Sequence, residues 1–325
     1  MGRDRCFSRW QPRNRDRQSN HLMKFLIVFL SLVFIACSAR AAVFTNSADA
    51  DAFVRSNAPT VNYGGAGALS VSGAGATNNA SGLTNGIADT FIRFNTAAMV
   101  TNFDSRFGTN NWIIGGVKLQ VTEVGVPNNN IFDQGKGAFQ IDWVADDNWI
   151  EGTGTPMSPT TDGLLFTNEP VLLTDTAVLG TFTNAAASAT LLFTLAMPAA
   201  FAADVQAGGE VTLFLAAIDP QTGFTFNSRS FGTIAARPFL EISAVPMPGL
   251  SAILLSGTDV VLSATNGAAG TTYCVLTSTN AELPLNQWLA VATNALSADG
   301  DFAITVTNAA GAGAPWQQFF VLRTQ

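Results

Sequence analysis

The sequence predicts an all-β chain: an antiparallel jelly-roll β-sandwich followed by a smaller, immunoglobulin-like β-sandwich. Three observations predict it. Apolar and polar residues alternate with period two along most of the chain, the mark of half-buried strands. Ala, Thr, Asn and Gly dominate while Glu and Lys are scarce, a usage that suits short strands and turns better than helices. A Pro/Gly cluster, Val245-Pro246-Met247-Pro248-Gly249, separates a long first part from a short second one.

Residues 1–41 stand apart from both. From Met23 the chain reads MKFLIVFLSLVFIACSARAA, one lysine, an apolar run and a small-residue site, which is the layout of a secretory signal peptide cleaved after Ala41. The Arg-rich text before Met23 has no periodicity, and Met23 is read as the start. The run Phe25–Cys37 is shorter than the roughly 20 apolar residues a membrane span needs. Phe34-Ile35-Ala36-Cys37 matches a lipoprotein box only in part, with Phe in place of Leu, so lipid anchoring at Cys37 is not expected. The protein is therefore expected outside the cell or on its surface, with no stable membrane span after cleavage.

Cleavage changes the available chemistry. His21, the single histidine, is lost with Cys6 and Cys37, leaving Cys274 alone and no internal disulfide. Eight of the 16 Lys+Arg and two of the 23 acids precede Ala42, which leaves 8 cations against 21 acids, a balance of −13. Such an acidic chain does not suit nucleic acid, whose binding rests on Lys and Arg. Mechanisms that need His are excluded.

The strands follow in order. Asp51-Ala52-Phe53-Val54 opens as one, and Leu69 and Val71 alternate with serines. Ile92 and Phe94 alternate with Phe91, Arg93 and Asn95. Val117 to Thr122 is apolar on odd positions. Phe139, Ile141 and Trp143 share a face opposite Gln140 and Asp142. Val211 to Ile218 is apolar on both parities, as in a central strand covered on both sides. Pro238 to Ala244 closes the domain. Only Ala185–Ala189 and Met197–Ala207 offer helical composition, the first short and the second carrying Pro198. The domains are thus 42–245, a stiff linker at 246–250, and 251–325. The last holds six short strands and an Asp299-Gly300 hairpin signal.

Several segments suggest a family. Asp51-Ala52-Phe53-Val54-Arg55-Ser56, Asn62-Tyr63-Gly64 and Thr90-Phe91-Ile92-Arg93-Phe94 resemble the opening of DNRLRE-type domains, also classed as family-96 carbohydrate-binding modules. Gly116-Val117-Lys118-Leu119, Trp149-Ile150-Glu151-Gly152-Thr153, Phe226-Asn227-Ser228-Arg229 and Arg237-Pro238-Phe239-Leu240 are similar to later motifs, in the same order. The likeness covers about Val43 to Val245. Ser230 stands where the family usually has Glu, and Asn95 where Asp is common, which puts any binding role of those carboxylates in doubt. The resemblance implies a jelly roll on secreted or surface proteins that recognises polysaccharide. The C-terminal text is similar to small terminal sandwich modules of secreted bacterial proteins.

Sugar rings pack on aromatic planes while amides, carboxylates or Arg bond their hydroxyls. The candidate contacts are therefore Tyr63, Trp112 and Trp149 in turns, with Arg55, Arg93 and Arg229 from the family-like motifs. Each has a structural reading beside the functional one: Trp149 as a strand start, Tyr63 as a cover of the sandwich end, the arginines as partners of carboxylates and carbonyls. The guanidinium fork would suit an acidic sugar. Asp49 and Asp51 are candidates for a structural calcium ion, since Ca²⁺ takes carboxylate and carbonyl oxygens; no other cofactor is expected. No nucleophile motif, metal-ligand cluster or phosphate loop is present. The expected function is a non-catalytic carbohydrate-binding protein for a plant or algal, neutral or acidic, polysaccharide. The alternatives are a structural or adhesive surface protein, which would contact other cell-surface proteins, and a polysaccharide lyase or glycosidase.

Overall fold

The computed structural model describes residues 41–78, 81–124, 136–183, 190–265, 267, 272–295, 301–315 and 317–324. The signal segment before Ala41, the Ala185–Ala189 stretch and the Asp299-Gly300 turn lie outside the described residues.

Among the described residues, eleven strands and three α-helices lie before Met247. In chain order they are β1 (Ala42–Ser47), β2 (Ala50–Arg55), β3 (Ala68–Ser72), β4 (Ala88–Asn95), α1 (Ala97–Phe107), β5 (Trp112–Thr122) and β6 (Ala138–Val144). They continue with α2 (Glu169–Leu172), β7 (Thr176–Thr183), β8 (Thr190–Thr194), α3 (Ala199–Ala207), β9 (Glu210–Ala217), β10 (Gly223–Asn227) and β11 (Phe239–Pro246). The strands form two antiparallel sheets, a four-stranded one in the order β1-β11-β5-β8 and a seven-stranded one in the order β10-β3-β4-β9-β6-β7 with β2 paired to β4. The chain is an all-β sandwich, as the alternation predicts.

Alternation decides which side chains meet between the sheets. Val117, Leu119, Val121, Leu240 and Ile242 from the smaller sheet pack on Ile92, Phe94, Phe139, Ile141, Leu213 and Leu215 from the larger. Each fully buried side chain of this size is worth about 1.5–3 kcal/mol. On their other parity β9 adds Phe214 and Ala216, and β4 adds Phe91 beside Asp89 and Arg93. Phe91 and Phe214 face outward, with Ala50, Ala52 and Val54 of β2, into a second cluster covered by Trp149, Leu164 and Leu172. The long connection from Ala145 to Asp175 thus roofs the larger sheet. Trp143 lies in the main core and donates from Nε1 to Asp204 at 2.7 Å.

α1 departs from the expectation, while α3 falls in the Met197–Ala207 stretch of helical composition. α1 repeats at helical spacing, burying Met99 and Phe103 with Val100 and Phe107 partly covered. Asn95 Oδ1 accepts the Ala97 N–H at its start, and Gly108 ends it at φ 89°. α3 buries Phe201 and Val205. Pro198 precedes its first turn, where no N–H is needed, so it starts this helix rather than breaking it.

Among its described residues the second part holds six strands: β12 (Gly249–Ser256), β13 (Asp259–Thr265), β14 (Thr272–Ser278), β15 (Leu289–Ala295), β16 (Phe302–Val306) and β17 (Phe319–Thr324). They pair as two three-stranded sheets, β12-β13-β16 and β15-β14-β17, around Val260, Leu262, Tyr273, Val275, Phe302 and Ile304. The expected linker is shorter than 246–250. β11 runs through Pro246, which pairs with Trp112, and β12 begins at Gly249, leaving Met247 and Pro248 between strands.

Candidate functional site

The Asn62-Tyr63-Gly64-Gly65 turn explains how the roof is held. Asn62 is fully buried and uses its whole amide: Nδ2 donates to the carbonyls of Glu151 at 2.8 Å and Leu164 at 2.9 Å. Its Oδ1 accepts the N–H groups of Gly64 at 3.0 Å and Gly154 at 2.9 Å. All four hydrogen bonds of an amide side chain are thereby made. A Cβ on Gly64 would fall 1.9 Å from the Glu151 carbonyl oxygen, so only glycine lets the turn press on the roof.

Residues 51, 53 and 55 share one face of β2, and each enters a different contact. Asp51 is fully buried and accepts the Arg229 N–H at 2.5 Å. Glu151 meets the Arg229 guanidinium with both carboxylate oxygens and accepts the Asp51 N–H on Oε1 at 3.1 Å. Burial pushes the Asp51 carboxyl up to about 7; the Arg229 N–H opposes this, while the Glu151 charge adds to it. Phe53 stacks on Tyr63, ring centroids 4.6 Å apart. Arg55 donates from Nη2 to the Asn85 carbonyl and Oδ1, both at 3.1 Å.

Arg93 holds the other end of the roof. It donates to Asp49 Oδ2 at 3.2 Å and to the carbonyls of Asp147 at 3.1 Å and Trp149 at 2.9 Å. It also pairs with Glu210 at 3.4 Å and lies 5.2 Å from the centre of the Trp149 ring. Trp149 Nε1 donates to Thr212 Oγ1 at 3.0 Å, and that hydroxyl donates to Asp147 at 2.6 Å. Burial pushes Asp147 up to about 6, opposed by the Thr212 hydroxyl. Burial and the neighbouring Asp89 push Glu169, on α2, up to about 8; burial alone takes Asp89 up to about 7.

The structure therefore places the expected contact residues as latches. Trp112 is 3% exposed, packs on Phe103 and donates to Asp104; Tyr63 is 7% exposed against Phe53. Neither offers a ring face to a ligand here, because each covers a sandwich end. Trp149 is 5% exposed and sits in the irregular roof, not at a strand start. Arg55, Arg93 and Arg229 each have acceptors within the chain. Asp49 serves Arg93 and Asp51 serves Arg229, and no group of three or more His, Cys, Asp or Glu among the described residues is arranged to hold a metal ion. The arrangement brings together Arg93, Trp149 and Asp49 at one place, and Asp51 and Arg229 at another. Sequence reasoning passed over Asn62 and Glu151, although both stand in the quoted motifs. An Asn followed by two glycines in turn-like text was the available signal.

Two cavities open beside these latches. One, of about 370 Å³, is lined by Trp149, Leu164, Leu172, Asp146, Asn148 and Asn168, with exposed Ile150 and Val171 beside them. Asp146 Oδ1 accepts both N–H groups of Asn148, which fixes that rim. The other, of about 340 Å³, lies on the outer face of β3 and β10. Among the described residues no helix is long and apolar enough to cross a membrane. Cys274 is buried and free.

No family model matches the chain, and no curated protein does. Among solved structures, a β-D-glucuronidase from Dictyoglomus thermophilum is 11% identical with a TM-score of 0.25, over 82% of this chain and 38% of that one. A β-glucuronidase from Lactobacillus rhamnosus is 9% identical with a TM-score of 0.23, over 87% of this chain and 44% of that one. This chain spans less than half of either enzyme, and likenesses this slight carry no argument about function.

Proposed function

We propose that the protein is a secreted, non-catalytic carbohydrate-binding protein that recognises a plant or algal polysaccharide. The observation that carries this reading is the roof cavity of about 370 Å³, whose lining joins Trp149 and aliphatic side chains to Asn148, Asn168 and Asp146. Concave, largely apolar sites with a few placed polar groups are what ring-shaped, hydroxylated ligands use. The ordered set of DNRLRE-like motifs supports the same reading, since residues from three of them meet at Asp51, Glu151 and Arg229. An acidic polysaccharide has less support than a neutral one, because the motif arginines already have partners. A glycosidase needs two accessible carboxyl groups flanking the bond; Asp51 is fully buried and Glu151 is held by Arg229.

The burial of Tyr63, Trp112 and Trp149 favours one second reading, a surface spacer or adhesive protein built on the same sandwich. Retention of the full chain on a panel of insoluble and immobilised plant and algal polysaccharides separates the two. Binding of at least one polysaccharide is expected. Folded protein that no polysaccharide retains would leave the spacer reading, and release of reducing ends by the pure protein would replace both with an enzyme.

A further inference from the structure

The second cavity is unlike the first in its unmet demand for hydrogen bonds. Its lining includes Phe53, Leu69, Val124, Pro156 and Phe231, together with Ser70, Thr225 and Asn227. Those last three side chains are buried, and Ser70 Oγ, Thr225 Oγ1 and Asn227 Oδ1 have no hydrogen-bond partner. Buried polar atoms are nearly always partnered, and three orphans around one cavity make a cluster rather than a scatter.

The topology explains why they gather. Thr225 and Ser70 are directly opposed across the antiparallel β10–β3 pair, and Asn227 is two residues further along β10. Their Cβ atoms are therefore about 5 Å apart across the strands and about 7 Å apart along the strand, all on the face opposite Leu69 and Phe226. The Asn227 NH2 donates to the Ala236 carbonyl at 3.3 Å, and its amide oxygen can only accept. The hydroxyls of Ser70 and Thr225 both donate and accept. No charged side chain is among the lining residues.

Resting on the carbohydrate-binding reading, we propose that this cavity is a second saccharide subsite, selective for an uncharged sugar residue. A sugar hydroxyl donates to Asn227 Oδ1 and exchanges hydrogen bonds with Ser70 and Thr225, while the C–H face of the ring packs on Phe231 and Phe53. A uronate would bury its carboxylate without a cation, which the site cannot offset. The three oxygens are covered in this structure, so a sugar reaches them by displacing lining side chains, of which Phe231 is half-buried on the irregular loop after β10. With the roof cavity on the same sandwich, two subsites for one polymer raise its retention by linkage rather than by any single strong contact.

Nuclear magnetic resonance titration of the full chain with neutral methyl glycosides (gluco, manno, galacto, xylo) and with methyl glucuronide tests this. The Asn227 side-chain amide and the Phe231 ring are expected to shift with at least one neutral glycoside. Thr225→Val, which keeps shape and removes the hydroxyl, is expected to weaken that binding by about tenfold; Phe231→Ala gives the same test on a loop residue should the first variant misfold. Preference for the glucuronide, or full affinity in a folded variant, overturns the proposal. So does the absence of any shift in a protein that still binds polysaccharide, which leaves the first reading intact. If no glycoside shifts these signals and no polysaccharide is retained, both fall.

Discussion

The two sandwiches cover their sheets in different ways. In the first, β4 and β9 are largely buried on both faces because a second sheet lies on one side and the 145–175 roof on the other. Ion pairs join Arg93 to Asp49 and Glu210, Lys118 to Glu241 and Arg229 to Glu151 there. In the second, two three-stranded sheets share one small apolar seam, and edge strand β12 leaves Ile253, Leu254 and Leu255 at 58%, 60% and 72% exposure. The difference shows what it takes to hold a loop over a sheet. A seam between sheets is secured by apolar area alone, whereas a loop brings backbone groups that need partners once covered. Asn62, Arg93 and Glu151 supply those partners, and both cavities lie beside the segments they hold.

The largest expected break of this contrast is Asn62→Ala. It removes four buried hydrogen bonds and leaves backbone groups unpaired, so the first sandwich should lose about 3 kcal/mol or more in chemical unfolding. The corresponding loss in the second sandwich is smaller. Thr277→Ala deletes a single bond, to the Phe319 carbonyl at 2.9 Å, and should cost about 1 kcal/mol.

Between these in size lies the effect of pH. Asp51 and Asp89 are held near 7 and Glu169 near 8 in the fold, against ordinary values of 3.8 and 4.5. The folded state therefore binds more protons than the unfolded one across this window. The stability these acids allow is fully present below about pH 4 and is lost as pH rises through 7 to 8. The stability of the first sandwich should fall by an amount on the order of a few kcal/mol from pH 5 to pH 9, read as a falling unfolding temperature. An unchanged or rising value would show that these carboxyls are not buried under the roof.

The smallest effect is expected at the exposed edge. Leu254→Lys should change stability by less than about 0.5 kcal/mol while reducing self-association in sedimentation, because charge on an edge strand blocks edge-to-edge pairing. A large loss of stability would mean that β12 is covered.

Strands were legible because period two survives in single segments: Val117 to Thr122 and Phe139 to Trp143 fold as their alternation indicates. The two-sided burial of β9 was legible for the same reason. α1 was missed although Met99, Val100, Phe103 and Phe107 carry helical spacing, because its Thr, Asn and Ser content reads as loop. Pro198 left the Met197–Ala207 helix open because a proline that starts a helix and one that breaks it look alike until the flanking turn is known. The latch itself was not legible. Asp51, Glu151 and Arg229 are separated by 100 and 78 residues, and only the folded sheet brings them together. Aromatics in turn-like text looked exposed, yet Tyr63, Trp112 and Trp149 cap ends and edges that local sequence does not reveal.

The central claim is that the motif residues Asp51, Glu151 and Arg229 hold the roof rather than the ligand. A double-mutant cycle on Glu151→Gln and Arg229→Gln, read by chemical unfolding of the full chain, tests it most directly. A coupling of about 1 kcal/mol or more is predicted, since the pair is bidentate and only partly exposed. Polysaccharide retention should persist in whichever variants stay folded. Additive single changes in stability, with retention lost in a folded Arg229→Gln protein, would contradict the claim and return Arg229 to the binding surface.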